Sequence, residues 1–414
     1  MPVDRDSDVV IVGGGFAGGP LAAVLARNGV PVTLLERQER YEDKVRGEFM
    51  GTWGVAEVAQ MGLSDCLIEG GAWALRWWRQ WDELFPEDEA PATELTFVRT
   101  TPEVEGPVSL SHPATCEAFS RAAADAGARV EFGVDNVRLS QDGPYPVLRY
   151  KQGGREHTRA CRIVVGAGGR YGHMARQAGI KLQSGCYHWV SGVAVEGLDH
   201  WPDDTLAMGT SGELMFFVFP KGNGLARLYL TYGVESARRF SGPSKVQDFL
   251  KAFDLACLPG SSEIVAARPI ARLASFPTNC SSTDWPLADG VVLTGDEAGM
   301  HDTILGTGLA CSLQDARHVS EILLGSKDWS PQAFRGYAAQ RAERTRVLNR
   351  AAAIMSRLYV EFDDGARERR RNAYQLMETN PAHGLFLLIS LAGPEAFPKG
   401  PFGDYLSERL LNAA

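Results

Sequence analysis

Val9-Val-Ile-Val12 runs straight into Gly13-Gly-Gly15-Phe16-Ala17-Gly18, and the residues beyond that turn repeat apolar positions at helical spacing as far as Asn28. An unbroken apolar run that ends in glycines reads as a strand buried on both faces, which is the signature of a parallel sheet. The helical pattern of residues 21–28 stops at Gly29, and residues 30–35 form a second apolar run ending at Glu36. Strand, helix and strand make one crossover unit. Pro20 stands inside the expected helix. If the first turn starts near Gly15, its ring removes a hydrogen bond and bends the axis.

Each glycine in Gly13-x-Gly15-x-x-Gly18 has a physical task. Gly13 permits the tight turn, Gly15 lets the backbone approach a pyrophosphate, and Gly18 allows close helix–strand packing. The N-terminus of the helix, with Phe16 and Ala17 leading into it, offers N–H donors and partial positive charge to phosphate oxygens. Glu36 follows at roughly 20 residues, where a carboxylate accepts hydrogen bonds from a ribose diol and repels a 2′-phosphate. Arg37 beside it is a further candidate for the nucleotide.

The remaining chain shows where this unit sits. Residues 113–127 read as a helix, followed by strands at 130–132, at 147–151 and ending at Val165. From about Tyr187 to Arg272 the pattern turns antiparallel, with strands at 190–195, 214–220 and 225–232, and a Lys221-Gly-Asn-Gly224 hairpin turn. A helix is expected at 244–257, a buried strand at 290–294 and a long helix at 308–324. The predicted fold is α/β, a Rossmann-like domain with an inserted, mainly antiparallel sheet and a helical C-terminus. The expected division is 1–75, 107–180 and 275–330 for the nucleotide domain, 76–106 and 181–274 for a substrate domain, and 331–414 for the helical end.

Composition bounds the function classes. The 414 residues are 44% hydrophobic and 22% charged, as in an ordinary globular protein. A net charge of −9 argues against a nucleic-acid partner, which calls for a basic footprint. The run Arg367, Arg369, Arg370, Arg371 alternates with Glu361, Asp363, Asp364 and Glu368, and reads as a solvated helix face. Seven cysteines without a CxxC pattern or metal spacing point to reduced thiols, a cytoplasmic setting and no metal. The acidic start leads directly into a strand, which argues against a leader, and no apolar run reaches the roughly 18–20 residues of a membrane span.

A second cofactor signal lies far from the first. Val291-Val-Leu-Thr-Gly295-Asp296 places an acid at the end of a buried strand, and Gly306-Thr307-Gly308-Leu309 opens the helix behind it. Asp296 can bind ribityl hydroxyls, and the glycine loop can aim N–H groups at a flavin edge that becomes negative on reduction. With Asp315 near its end, this stretch resembles the "GD" box of the aromatic hydroxylase family of flavin monooxygenases, related to p-hydroxybenzoate hydroxylase. The resemblance covers roughly residues 8 to 350. Arg46-Gly-Glu48 resembles that family's arginine segment at the FAD phosphates, although Arg46 also reads as an ion-pair partner of Glu42 or Glu48. Gly166-Ala-Gly168-Gly169-Arg170-x-Gly172-x-x-x-Arg176 resembles its "DG" box, which supports FAD and NAD(P)H.

The departures are specific. Gly168 stands where the family has an acid and Gly172 where serine is common. The GD box reads Gly295-Asp-Glu-Ala-Gly299-Met-His301-Asp302-Thr303 in place of the usual GDAAH with following prolines. His301 and Asp302 then read as acid–base or substrate-binding groups, or as loop side chains facing water. His188, Val190, Phe217, Phe219 and Tyr229 alternate on strands and read as substrate-cavity wall or as plain core. Trp77-Trp78-Arg-Gln-Trp81 lacks the Ile-Pro of the halogenase motif and reads as a cavity shield or as packing.

What the resemblance implies is FAD with transient NAD(P)H, or with reduced flavin from a partner reductase. It also implies O2, a small aromatic or polycyclic substrate, and hydroxylation or epoxidation through a flavin C4a-hydroperoxide. A FAD-dependent reductase of the geranylgeranyl-reductase type and a non-catalytic flavin-binding protein are the alternatives. The C-terminal helices read as a cover for the flavin domain or as a homodimer contact.

Overall fold

A computed structural model describes residues 7–45, 47–85, 93–96 and 106–411, and Arg46 lies outside the described residues. Among them, a six-stranded sheet runs in the order Leu287–Ala288, Val291–Leu293, Ile163–Gly166, Val9–Val12, Val32–Leu35, Arg129–Glu131. Every pairing is parallel except the edge pair Leu287–Ala288 with Val291–Leu293. Val9 lies between Ile163 and Val32 in this ladder, which accounts for its fully apolar strand.

The first helix is Gly18–Arg27, so Pro20 is its third residue. The turn before it is already helical, with the Gly19 N–H on the Gly15 carbonyl at 3.0 Å and the Leu21 N–H on that of Ala17 at 3.4 Å, so the proline ring leaves out the one bond between them. The helix expected at 113–127 spans His112–Asp125, and the long one spans Gly308–Gly325. The helix expected at 244–257 ends at Lys251, with a turn and a second helix, Ser261–Ala266, after it.

The inserted sheet has eight strands among the described residues and is antiparallel except where Trp77–Asp82 runs parallel to Thr205–Ser211. The strand expected at 190–195 is fourteen residues long, Gln183–Glu196. Ala274–Ser282 pairs with it, so the chain is still in this sheet at position 275, where its return to the nucleotide domain is expected.

Beyond the sheets, helix Arg335–Tyr359 reaches the six-stranded layer through Tyr337, which donates to the Leu293 carbonyl at 2.7 Å, and helix Ala366–Thr379 packs on the large sheet. The arginine run on this second helix is not the expected solvated face. Arg370 is 1% exposed and donates to Asp82 at 2.9 Å and to Glu83 at 2.8 Å, while Arg369 is buried against Asp363. Arg367 and Arg371 stay exposed. Helical register sends neighbouring residues to different faces, so one run of charge serves both. Among the described residues, no helix is long and apolar enough to cross a membrane, and no His, Cys, Asp and Glu cluster suits a metal ion.

Candidate functional site

A single cavity of about 1000 Å³ joins the end of the parallel sheet to the inner face of the large sheet. Gly13, Gly15, Phe16, Ala17, Glu36 and Arg37 line it at one end. Asp296, His301, Asp302, Gly306, Thr307, Gly308 and Leu309 line it from the second glycine loop. Val190, Phe217, Phe219 and Tyr229 close the far side.

The glycines differ in what they do. Gly13 has φ +110°, and a Cβ there would lie 2.3 Å from the carbonyl oxygen of Ala167; one on Gly18 would lie 1.9 Å from that of Gly13. Both are required by backbone packing, and neither Gly18 nor Gly295 faces the cavity. A Cβ on Gly15 or Gly308 would meet nothing within 4 Å. These two positions leave bare backbone facing empty space, at the starts of helices Gly18–Arg27 and Gly308–Gly325. Their first N–H groups have no acceptor within the helix. Thr307 Oγ1, buried beside Gly308, also has no protein partner. Two helix starts with bare glycine backbone on one cavity fit a dinucleotide with two polar ends.

Residues 6–351 match the family model described as FAD binding domain. The chain belongs to this family. Squalene monooxygenase SE1 of Panax ginseng is 20% identical over 380 residues, covering 89% of this chain and 68% of that protein. Digeranylgeranylglycerophospholipid reductase 2 of Methanopyrus kandleri is 26% identical over 338 residues, covering 76% of each. The structure of p-nitrophenol 4-monooxygenase from Pseudomonas putida superposes with a TM-score of 0.77 at 16% identity, over 94% of this chain and 99% of that one. At that identity the likeness is one of fold, and it agrees with the resemblance drawn from the two boxes.

Within this FAD-binding frame, Glu36 Oε2 accepts the Gly14 N–H at 2.7 Å and Oε1 accepts that of Gln38 at 2.8 Å. The acid therefore braces the glycine turn while lining the cavity. Tyr41 donates to the Gly14 carbonyl at 2.8 Å from the other side.

The missing acid of the DG box has a spatial replacement. Glu297, which follows Asp296, turns its carboxylate into the gap left by Gly168 and Gly172. It accepts N–H groups of Gly168 and Met174, both at 2.6 Å. A Cβ on Gly172 would sit 2.2 Å from its carboxyl carbon. Burial pushes the Glu297 carboxyl above the usual range, against the pull of those two N–H groups. Small residues in one box and a longer acid in the other are one arrangement, which motif comparison reads as two departures.

His301 and Asp302 are not solvent-facing. They are 8% and 4% exposed. Burial, then Arg341 and Arg344, push the His301 imidazole down to about 3, so it is neutral near pH 7. Asp302 caps the turn Thr303–Leu305 by accepting the Ile304 N–H at 3.0 Å, and its Oδ1 lies 3.0 Å from His188 Nε2. His188 is thus placed behind Asp302 and away from the cavity lining, contrary to its expected place on the wall. The tryptophans divide between the two readings. Trp78 lines the cavity, while Trp81 packs on the opposite face of the sheet, against Phe216 and its neighbours.

Helix Arg335–Tyr359 braces the second glycine loop from outside the cavity lining. Arg341 and Arg344 hold Asp315 at 3.1 and 2.5 Å, and Asp315 accepts the Gly295 N–H at 2.8 Å. Arg341 also donates to the carbonyls of Gly295 and Gly299, both at 3.0 Å. Burial pushes the Asp315 carboxyl up, but the two arginines hold it below the usual range. Sequence reasoning missed this clamp, although arginines three residues apart in an apolar helical pattern were a signal for it.

Proposed function

We propose that this chain is a FAD-dependent monooxygenase that places one oxygen atom of O2 on a small organic substrate and releases the other as water, using two electrons from NAD(P)H or a partner reductase. The observation that carries this is the continuity of one cavity from two glycine-bearing helix starts to an aromatic wall. When bound, FAD would supply electron storage and activation of O2.

The chain's own residues hold, orient and shield. Gly13, Gly15, Phe16, Ala17 and Gly18 present the first turn to the pyrophosphate, with Arg37 and Arg46 as its cations. Glu36 takes the adenosine ribose and Asp296 the ribityl chain. Gly308 and Leu309 would offer backbone N–H groups to the flavin edge that becomes negative on reduction. Phe217, Phe219 and Tyr229 exclude water from the reacting face. Neutral His301 can donate or accept one hydrogen bond there without bringing a charge.

The test is anaerobic reduction of the FAD-loaded protein, then mixing with isotopically labelled O2 and candidate hydroxylated aromatics. One labelled oxygen per product molecule is expected. Reoxidation without incorporation, with hydrogenation of an isoprenoid alkene, would replace this reading with the reductase one, which the similarity to the Methanopyrus enzyme favours.

A further inference from the structure

We infer that Trp78 sets the length of the molecule that the cavity admits: an elongated guest lies across the strands of the large sheet and ends against this indole. This rests on the proposed substrate side of the cavity but not on the oxygen chemistry. Phe276, Val190, Tyr229, Phe217, Leu206 and Trp78 line the cavity, one from each of six adjacent strands. Their registers put them on one face. Phe276 pairs with Val190, Val190 with Thr231, Tyr229 with Phe217, and Leu206 with Trp78. Phe217 pairs with Met208, two residues beyond Leu206, which joins the two halves of the row. Adjacent strands lie about 4.8 Å apart, so six of them make a wall about 24 Å long. No residue that the large sheet contributes to the lining is charged. A wall of that length suits a molecule drawn out across the strands better than a compact one.

Whatever share of this wall the flavin ring covers, the row has a closed end. Trp78 is 4% exposed and belongs to the apolar cluster that contains Leu206, Met208 and Leu358. The next two positions on its face of the strand are polar and already engaged. Gln80 Nε2 donates to the Tyr374 hydroxyl at 3.0 Å, and Asp82 accepts from Arg370 at 2.9 Å. Helix Ala366–Thr379 is thereby fixed beyond the indole, and among the described residues neither it nor Gln80 nor Asp82 lines the cavity. The end of the row is therefore a large side chain rather than backbone, and a smaller residue there lengthens the wall. Trp81, on the opposite face of the same strand, packs in a different cluster and has no part in this limit.

Titration calorimetry of the FAD-loaded protein with straight-chain primary alcohols, from hexanol to dodecanol, reads the length directly. Each further methylene should tighten binding by about fourfold until the chain meets the indole, after which the affinity stops rising. Trp78→Phe should move that limit to a longer alcohol, and Trp78→Ala should move it further. Trp81→Phe should leave it in place. Should Trp78→Ala fail to retain FAD, the milder Trp78→Phe decides. A merely structural role for Trp78 would weaken every alcohol alike and leave the limit where it was, which overturns the proposal. So does an affinity that climbs through dodecanol in the unaltered protein, or no binding of any alcohol. The expected shift of the limit in a protein that incorporates no labelled oxygen sinks only the monooxygenase reading.

Discussion

The two ends of the cavity are built by opposite means. The nucleotide end is made of backbone: bare glycines, helix starts and a carboxylate folded back on its own turn, with Glu36 Oε2 at 2.7 Å from the Gly14 nitrogen. The sheet end is made of side chains, a ladder of aromatic rings at alternate strand positions. Backbone recognition tolerates little change, since a methyl group on Gly13 collides with Ala167. Side-chain recognition can be rewritten one residue at a time. The end that holds a shared cofactor is therefore written in motifs, and the end that chooses a substrate is not.

Arg344→Met removes one partner of the buried ion pair that braces the second glycine loop, and it should have the largest effect. Leaving Asp315 half-paired costs about 3–5 kcal/mol, read as a fall in unfolding free energy and in FAD retained on purification. An unchanged thermal midpoint would mean that the clamp does not support the second glycine loop.

The next pair separates the ends. Asp296→Ala should weaken FAD by about tenfold or more through loss of a charge-assisted hydrogen bond. Phe219→Ala should keep FAD bound but lose affinity for apolar ligands. If both variants lose FAD alike, the division between the two ends is wrong.

The last effect is absent at neutral pH and develops only on acidification. The His301 imidazole is held at about 3 against 6.5 in an unfolded chain. Between those values the unfolded state takes up a proton that the folded state refuses, so stability is full above about 6.5 and falls as pH drops toward about 3. His301→Gln should flatten thermal midpoints across that window. Asp315 adds its own loss only below 3.8, so it does not contribute between 3.8 and 6.5. A wild-type slope that survives the substitution would place the titrating group elsewhere.

Much of the nucleotide end was legible because its constraints are local. Strand, glycine turn and helix lie within residues 9–27, and their spacing alone fixes which N–H groups point outward. The Asp296 box is equally short. By contrast, Gly168 looked like a degraded motif until Glu297 filled its gap from 129 residues away. Arg369 and Arg370 looked solvated because charge alternation carries no information about Asp82, 288 residues distant from Arg370.

From sequence alone came the parallel sheet, the two glycine turns and the inserted antiparallel sheet, since each depends on periodicity or on residues adjacent in the chain. Only the tertiary structure put His188 behind Asp302, and Arg341 and Arg344 around Asp315. Periodicity tells which face of an element is buried; which distant face it meets is settled by how whole layers pack, and no local pattern encodes that.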